Sequence, residues 1–377
     1  MPAETGSRIQ RLHDAGREKG ISLFLLSSPA SVLYYSGYFF YFEHGSSPFH
    51  LLPAVLVTGG TGPTSLLIAD NELAQAEHAN PTIHITPYAS YTFEEPLHFE
   101  KDFAKQLLSI LSGRVSRGTK LGIEKQFLPF AIGEALQTAF PDIILEDIGD
   151  TISQQRIIKD ADEIENIRKA AALCDAGQQA VLQYAREGQP EVALFSIVRR
   201  TLDEIAGTRV PLMADLVSGP RTASGGGIPS AKKMYNGELL LSDLTPCLNG
   251  YWGDSCNTIA IGKPSADQQK IFSDIKRALD SAIRAIMPGV KASQIDTMLR
   301  IQLGSYGHHS GHGVGIAPHE EPRIVPYNDN ELQEGMVIAL DPAVYTKAFG
   351  IRLEHLVLVT EMGCELLTRF DHQLERI

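Results

Sequence analysis

The chain has 377 residues, 43% of them hydrophobic, and a formal net charge of −12, enough apolar material to bury a full core in about two domains. The acidic balance argues against a nucleic-acid partner, because binding a phosphate backbone depends on clustered cations that release counterions. The longest apolar runs, such as Leu23 to Leu26 and Val337 to Leu340, stop well short of the roughly 20 residues that cross a bilayer. The start, Met1-Pro2-Ala3-Glu4-Thr5, lacks the basic segment and apolar run of a secretory signal, so a cytoplasmic protein with no membrane association is expected. Cys174, Cys247, Cys256 and Cys364 show no metal-finger or redox spacing and read as reduced core residues.

In chain order, an amphipathic helix near Arg8 to Lys19 leads to a strand from Ile21 to Leu26, and two more strands, Ala54 to Thr58 and Ser65 to Ala69, flank Gly59-Gly60. The pattern predicts an α/β layer, a meandering sheet with helices against it. The aromatic run Tyr38 to Phe42 reads as core or interface. From Asp160 the pattern changes to long capped helices, which places a domain boundary near residue 155. Asp160 with Glu163 predicts a capping box for a helix ending at Gly188, and Pro190 opens another that ends at Gly207. A hairpin is expected from Glu238 to Ile261. The order then repeats, with a helix from Ser265 to Pro288-Gly289, a shorter one from Ser293 to Gly304, and a hairpin from Val337 to Val359. Residues 156–377 thus read as two copies of helix, helix, hairpin, although no sequence identity links the copies.

Each hairpin carries a pair of carboxylates. Asn249-Gly250 is a strong two-residue turn signal, and a turn there sets Asp243 opposite Cys256, with Asp254 on the same face. A symmetric loop centred on Lys347 and Ala348 sets Asp341 across from Glu354. Like charges placed opposite one another repel, so a fold tolerates such pairs best with protons or cations between them. If the copies face each other, four carboxylates converge. Between the hairpins lies Gly307-His308-His309-Ser310-Gly311-His312-Gly313-Val314-Gly315, followed by His319. Its glycines permit close backbone approach and its histidines can ligate a metal or shuttle a proton. An oxygen-rich site with one imidazole suits Mn, Co, Fe or Zn without any thiolate.

The ordered array Asp243, Gly253-Asp254, Gly311-His312-Gly313-Val314-Gly315, Asp341-Pro342 and Arg352-Leu353-Glu354 resembles the five-ligand pattern of the pita-bread metallopeptidases, the family of aminopeptidase P, prolidase and the metal-free creatinase. Ser28-Pro29-Ala30-Ser31-Val32-Leu33-Tyr34-Tyr35-Ser36-Gly37-Tyr38 is similar to the creatinase-type N-terminal domain of the same proteins. The resemblance implies a creatinase-like domain over 1–155 and a pita-bread α+β catalytic domain with an internal pseudo-two-fold repeat over 156–377. It implies two divalent metal ions held by Asp243, Asp254, His312, Asp341 and Glu354, sharing a bridging water or hydroxide that attacks the substrate. It further implies that His308 and His319 contact the substrate and the tetrahedral intermediate, that Arg352 supports the ligands from behind, and that Tyr345 matches a family tyrosine. A homodimer is implied as well, with Phe39 to His44 bordering the neighbour's pocket.

Two positions depart from that pattern. Asp341 stands where the family usually has glutamate, a reach shorter by up to roughly 1.5 Å. The family also carries a histidine where this chain has Gly225-Gly226-Gly227-Ile228-Pro229-Ser230, and no histidine lies between His98 and His308. The expected function is metal-dependent cleavage of a Xaa-Pro peptide or similar small amide. The alternatives are a creatinase-like C–N hydrolase or lyase acting on a small molecule, and a non-catalytic binding module like the family's histone-chaperone relatives.

Overall fold

Leu23 to Leu26, Val55 to Val57 and Leu66 to Ala69 are buried without a break, the signature of strands covered on both faces. In the computed structural model, which describes residues 2–39, 53–94 and 96–375, they form β1 (Leu23–Leu26), β2 (Val55–Gly59) and β3 (Ser65–Ala69), following helix α1 (Pro2–Glu18). Helix α2 (Pro29–Ser36) lies between β1 and β2, and α3 (Leu73–Ala79), β4 (His84–Tyr88), α4 (Phe99–Leu111), β5 (Lys120–Ile123), α5 (Phe130–Ala139) and β6 (Ile144–Asp147) follow. The sheet order is β4-β3-β2-β1-β5-β6. Only β1, β2 and β3 form the expected antiparallel meander; β4, β5 and β6 join in parallel. Intervening helices supply the long crossovers that parallel pairing needs. Tyr38 is buried and donates to Glu72 at 2.7 Å, whereas Phe40 to Phe42 and the rest of the run to His44 lie outside the described residues.

The chain separates into units Met1–Gln155 and Arg156–Ile377. After α6 (Gly149–Ile157), the second unit opens with α7 (Ala161–Tyr184), whose first turn is closed by the Asp160–Glu163 capping box, and α8 (Glu191–Ala206), ended by Gly207 in the left-handed region. Next come β7 (Leu212–Ser218), β8 (Leu239–Leu248), β9 (Tyr251–Trp252) and β10 (Ser255–Ala260). The second copy has α9 (Ala266–Ala285), capped by Ser265 and Gln268, and α10 (Ala292–Leu303). Helix α10 starts before the expected Ser293, because Gln294 accepts from the Lys291 N–H at 2.9 Å while the Ser293 hydroxyl turns to Asp329 at 2.7 Å. Its strands are β11 (Gly311–Gly313), β12 (Glu320–Ile324), β13 (Val337–Leu340), β14 (Ala343–Tyr345), β15 (Gly350–Arg352), β16 (His355–Thr360) and β17 (Gly363–Leu366).

Sheet orders β10-β8-β7 and β12-β11-β13-β16-β17 show that each expected hairpin gains a third strand on the same side, β7 beside β8 and β11 beside β13. The internal repeat is therefore helix, helix, strand, hairpin. Helices α7 and α8 bury Leu173, Val181, Leu194 and Val198 with Leu240, Leu244 and Ile259 of the first sheet. Helices α9 and α10 bury Phe272, Leu279, Ile295 and Leu299 with Ile338, Leu340 and Val357 of the second. Burial on the order of 1.5–3 kcal/mol per large apolar side chain keeps both sheets rigid beneath the carboxylates they carry. All four cysteines are free thiols, three of them buried. No described helix is long and apolar enough to cross a membrane.

One buried ion cluster fixes the segment after the histidines. The Glu320 side chain, 5% exposed, pairs with Arg156 and, at 3.0 Å, with the Lys159 ammonium, itself 1% exposed. Burial alone would raise the Glu320 carboxyl, but the two cations bring it down to about 2. A depressed folded value gives stability that is present above the unfolded value, about 4.3, and lost as pH falls toward the folded one. Glu320→Gln is expected to cost about 3 kcal/mol at pH 7, because it strands two buried cations. Urea unfolding at pH 7 and pH 3 checks this: the deficit should shrink at pH 3, and a pH-independent deficit would refute the assignment.

Candidate metal centre

Asn249 and Gly250 both have positive φ, 53° and 84°, the geometry of a two-residue hairpin turn. The pairing Leu248↔Tyr251 sets the register, and Asp243 faces Cys256 as the sequence predicts. Asp254 lies one step beyond Ser255↔Leu244, where the Thr245 hydroxyl donates to its Oδ1 at 2.9 Å. In the second copy, Leu340↔His355 and Ala343↔Arg352 share one register, so Asp341 and Glu354 fall opposite each other between them. The copies are joined where the Glu354 N–H donates to the Cys256 carbonyl at 2.9 Å and Thr258 Oγ1 bonds the Arg352 carbonyl at 3.0 Å. That seam turns both carboxylate pairs toward one cavity of about 760 Å³.

Ligand atoms of Asp254, His312 and Glu354 all lie within 4.8 Å of one another, and so do those of His309, His312 and His319. Burial, and next the neighbouring Asp243, push the Asp254 carboxyl well above the usual range; burial and Asp254 do the same to Glu354. Burial also raises Asp243, against the pull of Arg352, whose Nη2 donates to Asp243 Oδ2. Burial opposes ionisation of Asp341 too, yet the His309 hydrogen bond and the His312, His309 and His308 rings bring it below the usual range. Asp341 Oδ2 is 3.4 Å from His309 Nε2, while its Oδ1 is buried without a hydrogen-bond partner.

His312 Nδ1 is 3.0 Å from the Gly313 carbonyl. A carbonyl only accepts, so the proton sits on Nδ1 and the bare Nε2 faces Asp254 Oδ2 at 3.7 Å. Burial holds this imidazole down to about 4. A lone pair facing a carboxylate oxygen, two crowded carboxylates and an orphaned Asp341 oxygen form a donor set that a divalent cation satisfies, and the residues present fit a metal. Buried Cys256, its thiol pushed up by burial, stays a neutral neighbour.

The other candidates line the same cavity. His308 Nδ1 donates to the His309 carbonyl at 2.7 Å, leaving Nε2 to accept from the Tyr345 hydroxyl at 3.2 Å. Burial lowers both His308 and His319 and raises Tyr345 to about 12. The His319 ring centroid lies 4.3 Å from that of His312. Arg352 Nη1 reaches the Gly225 carbonyl at 2.6 Å and Tyr345 at 3.2 Å. Three residues outside the expected set also belong here: His309 beside Asp341, Thr245 on Asp254, and Asp215, which pairs with Asp243 across β7 and β8. The available signals were the position of Thr245 two residues from Asp243 on one strand face and a lone carboxylate inside the otherwise apolar Leu212 to Val217.

Residues 165–361 match the model of metallopeptidase family M24, and residues 8–158 match the creatinase/prolidase N-terminal domain. The chain belongs to metallopeptidase family M24. An uncharacterized peptidase of Staphylococcus aureus (strain USA300) is 30% identical over 97% of this chain and 99% of its own length. A Xaa-Pro dipeptidase of Pyrococcus furiosus is 35% identical over 60% of this chain and 67% of its own. Among solved structures, the prolidase of Pyrococcus horikoshii OT3 superposes with a TM-score of 0.82 at 26% identity, covering 98% of this chain and 99% of that one. The creatinase-type and M24 folds, and the identity as a metallohydrolase, follow from this membership.

Proposed function

We propose that this M24 chain cleaves Xaa-Pro dipeptides or a closely similar small amide, with catalysis in residues 156–377 and Asp243, Asp254, His312, Asp341 and Glu354 holding two divalent cations drawn from Mn, Co, Fe or Zn. The observation that carries this reading is the convergence within 4.8 Å of His312, on β11, with Asp254 and Glu354, which belong to two hairpins whose registers bring in Asp243 and Asp341. When bound, such a metal pair makes water nucleophilic near neutral pH and polarises the scissile carbonyl.

The remaining work falls to the chain itself. Arg352 fixes the Asp243 carboxylate and the Gly225 carbonyl at once, holding one ligand in place. Neutral His308, its Nε2 tied to Tyr345, presents a hydrogen-bonding pair whose proton can shift toward a developing oxyanion or leaving nitrogen. His319, exposed beside His312, lines the same cavity and contacts the substrate there. Hydrolysis of a panel of Xaa-Pro dipeptides by manganese-loaded protein tests the reading: turnover should fall at least about 10³-fold after chelation and return on reloading. The absence of histidine near Gly226 counts against ordinary Xaa-Pro peptidase activity, and the second reading is a C–N hydrolase or lyase acting on a small molecule. Metal-loaded protein that cleaves no Xaa-Pro peptide would select it.

A further inference from the structure

Gly226 and Asp215 are matched to one another. A Cβ at Gly226 would overlap the Asp215 carboxylate, so the volume left by the missing side chain is filled by that carboxylate. The arrangement is fixed on both sides. Glu191, fully buried, accepts from the Ser218 N–H at 2.7 Å and the Ser230 N–H at 3.1 Å, pinning both ends of the segment that carries Gly225 to Gly227. Within it the Gly227 N–H donates to Asp215 Oδ1 at 2.7 Å.

Asp215 Oδ2 accepts from Arg352 Nη2 at 3.4 Å, a longer ion pair than the one the same nitrogen makes with Asp243. Arg352 Nη2 thus divides its two N–H groups between Asp243 and Asp215, while Nη1 serves Gly225 and Tyr345. A carboxylate can accept about four hydrogen bonds, and the Asp215 side chain, 37% exposed, lines the cavity beside the candidate ligands. An acceptor-only anion here cannot take the role of a neutral histidine that donates a proton.

We infer that Asp215 is a specificity-determining residue that selects substrates bearing a cationic nitrogen group, an ammonium, guanidinium or amidinium, at the wall formed by Gly225 to Gly227. The inference rests on the reading that this cavity binds substrate. It deepens that reading by naming the substrate class.

The test is calorimetric binding to the manganese-loaded full chain at pH 7, using argininamide, citrullinamide and the Nα-acetyl form of each. The guanidinium–urea pair reports a side-chain cation and the acetylated pair the α-ammonium. Wild type should bind the cationic member of at least one pair about 10-fold more tightly, as one charge-assisted hydrogen bond provides, and Asp215→Asn should bring that ratio below about 2-fold. Gly226→Ala, which displaces the carboxylate without removing its charge, should do the same and carries the test if Asp215→Asn does not fold. No preference in wild type, or a preference that survives both substitutions, would overturn the inference. A fall in metal content in Asp215→Asn would also overturn it, by showing that Asp215 acts through the ligands. Because the readout is binding, failure to cleave Xaa-Pro peptides sinks the peptidase reading and leaves this comparison standing.

Discussion

Glu354→Gln is expected to lower kcat/KM on a Xaa-Pro dipeptide by about 10³-fold or more, since metal-assisted charge stabilisation supplies several kcal/mol and each 1.36 kcal/mol is tenfold. The amide keeps the volume of the side chain, which is 2% exposed, and the backbone bond from Glu354 to Cys256 is untouched. What is lost is one negative ligand beside Asp254 and His312. The same change removes a repelling charge, so metal-free Glu354→Gln should unfold at higher urea than metal-free wild type. Lower activity with higher metal-free stability separates loss of a ligand from loss of the fold. Activity within tenfold of wild type, with two metals still bound, would refute the role given to Glu354.

The stability that Asp254 and Glu354 lend the metal-free protein should fall as pH rises, against the rise that His308, His312 and His319 give below about pH 6.5, and metal loading should remove that fall. Asp254 and Glu354 are held well above the ordinary carboxylate range, Asp254 first by burial and then by Asp243, Glu354 first by burial and then by Asp254. Where the folded value is raised, the native state binds more protons than the unfolded state. The stabilisation is then complete below about pH 4, the unfolded value, and disappears as pH rises through the folded value. Cations that replace those protons restore stability by mass action, about 4 kcal/mol at a thousandfold excess over Kd. Urea midpoints from pH 5 to pH 8, with and without manganese, check the sign: equal slopes in the two series would show that the carboxylates do not bind the metal.

The parts of this architecture governed by local rules were legible in the sequence. Asn249-Gly250 dictates its turn, and the period of two then fixes which residues face Asp243. The capping pairs Asp160–Glu163 and Ser265–Gln268 start their helices where expected. Strands β7 and β11 were missed because short segments added to a sheet by long-range pairing carry no turn signal of their own. Asp215 was missed with β7, since its meaning comes from Asp243 across the ladder and from Gly226 above it. His309 could not be told from its neighbours by residue type, and only the backbone course places its Nε2 at Asp341. The parallel outer strands of the first sheet escaped for a similar reason, because strand direction is set by crossovers and is not marked within a strand.

A titration of metal-free protein with manganese at pH 7, followed by calorimetry in two buffers of different ionisation enthalpy, tests the carboxylate centre most directly. The expected result is two equivalents bound per chain with net release of protons, as Asp254 and Glu354 exchange protons for cations. Binding of one equivalent or none, or of two without proton release, would contradict the placement of a metal pair among Asp243, Asp254, His312, Asp341 and Glu354.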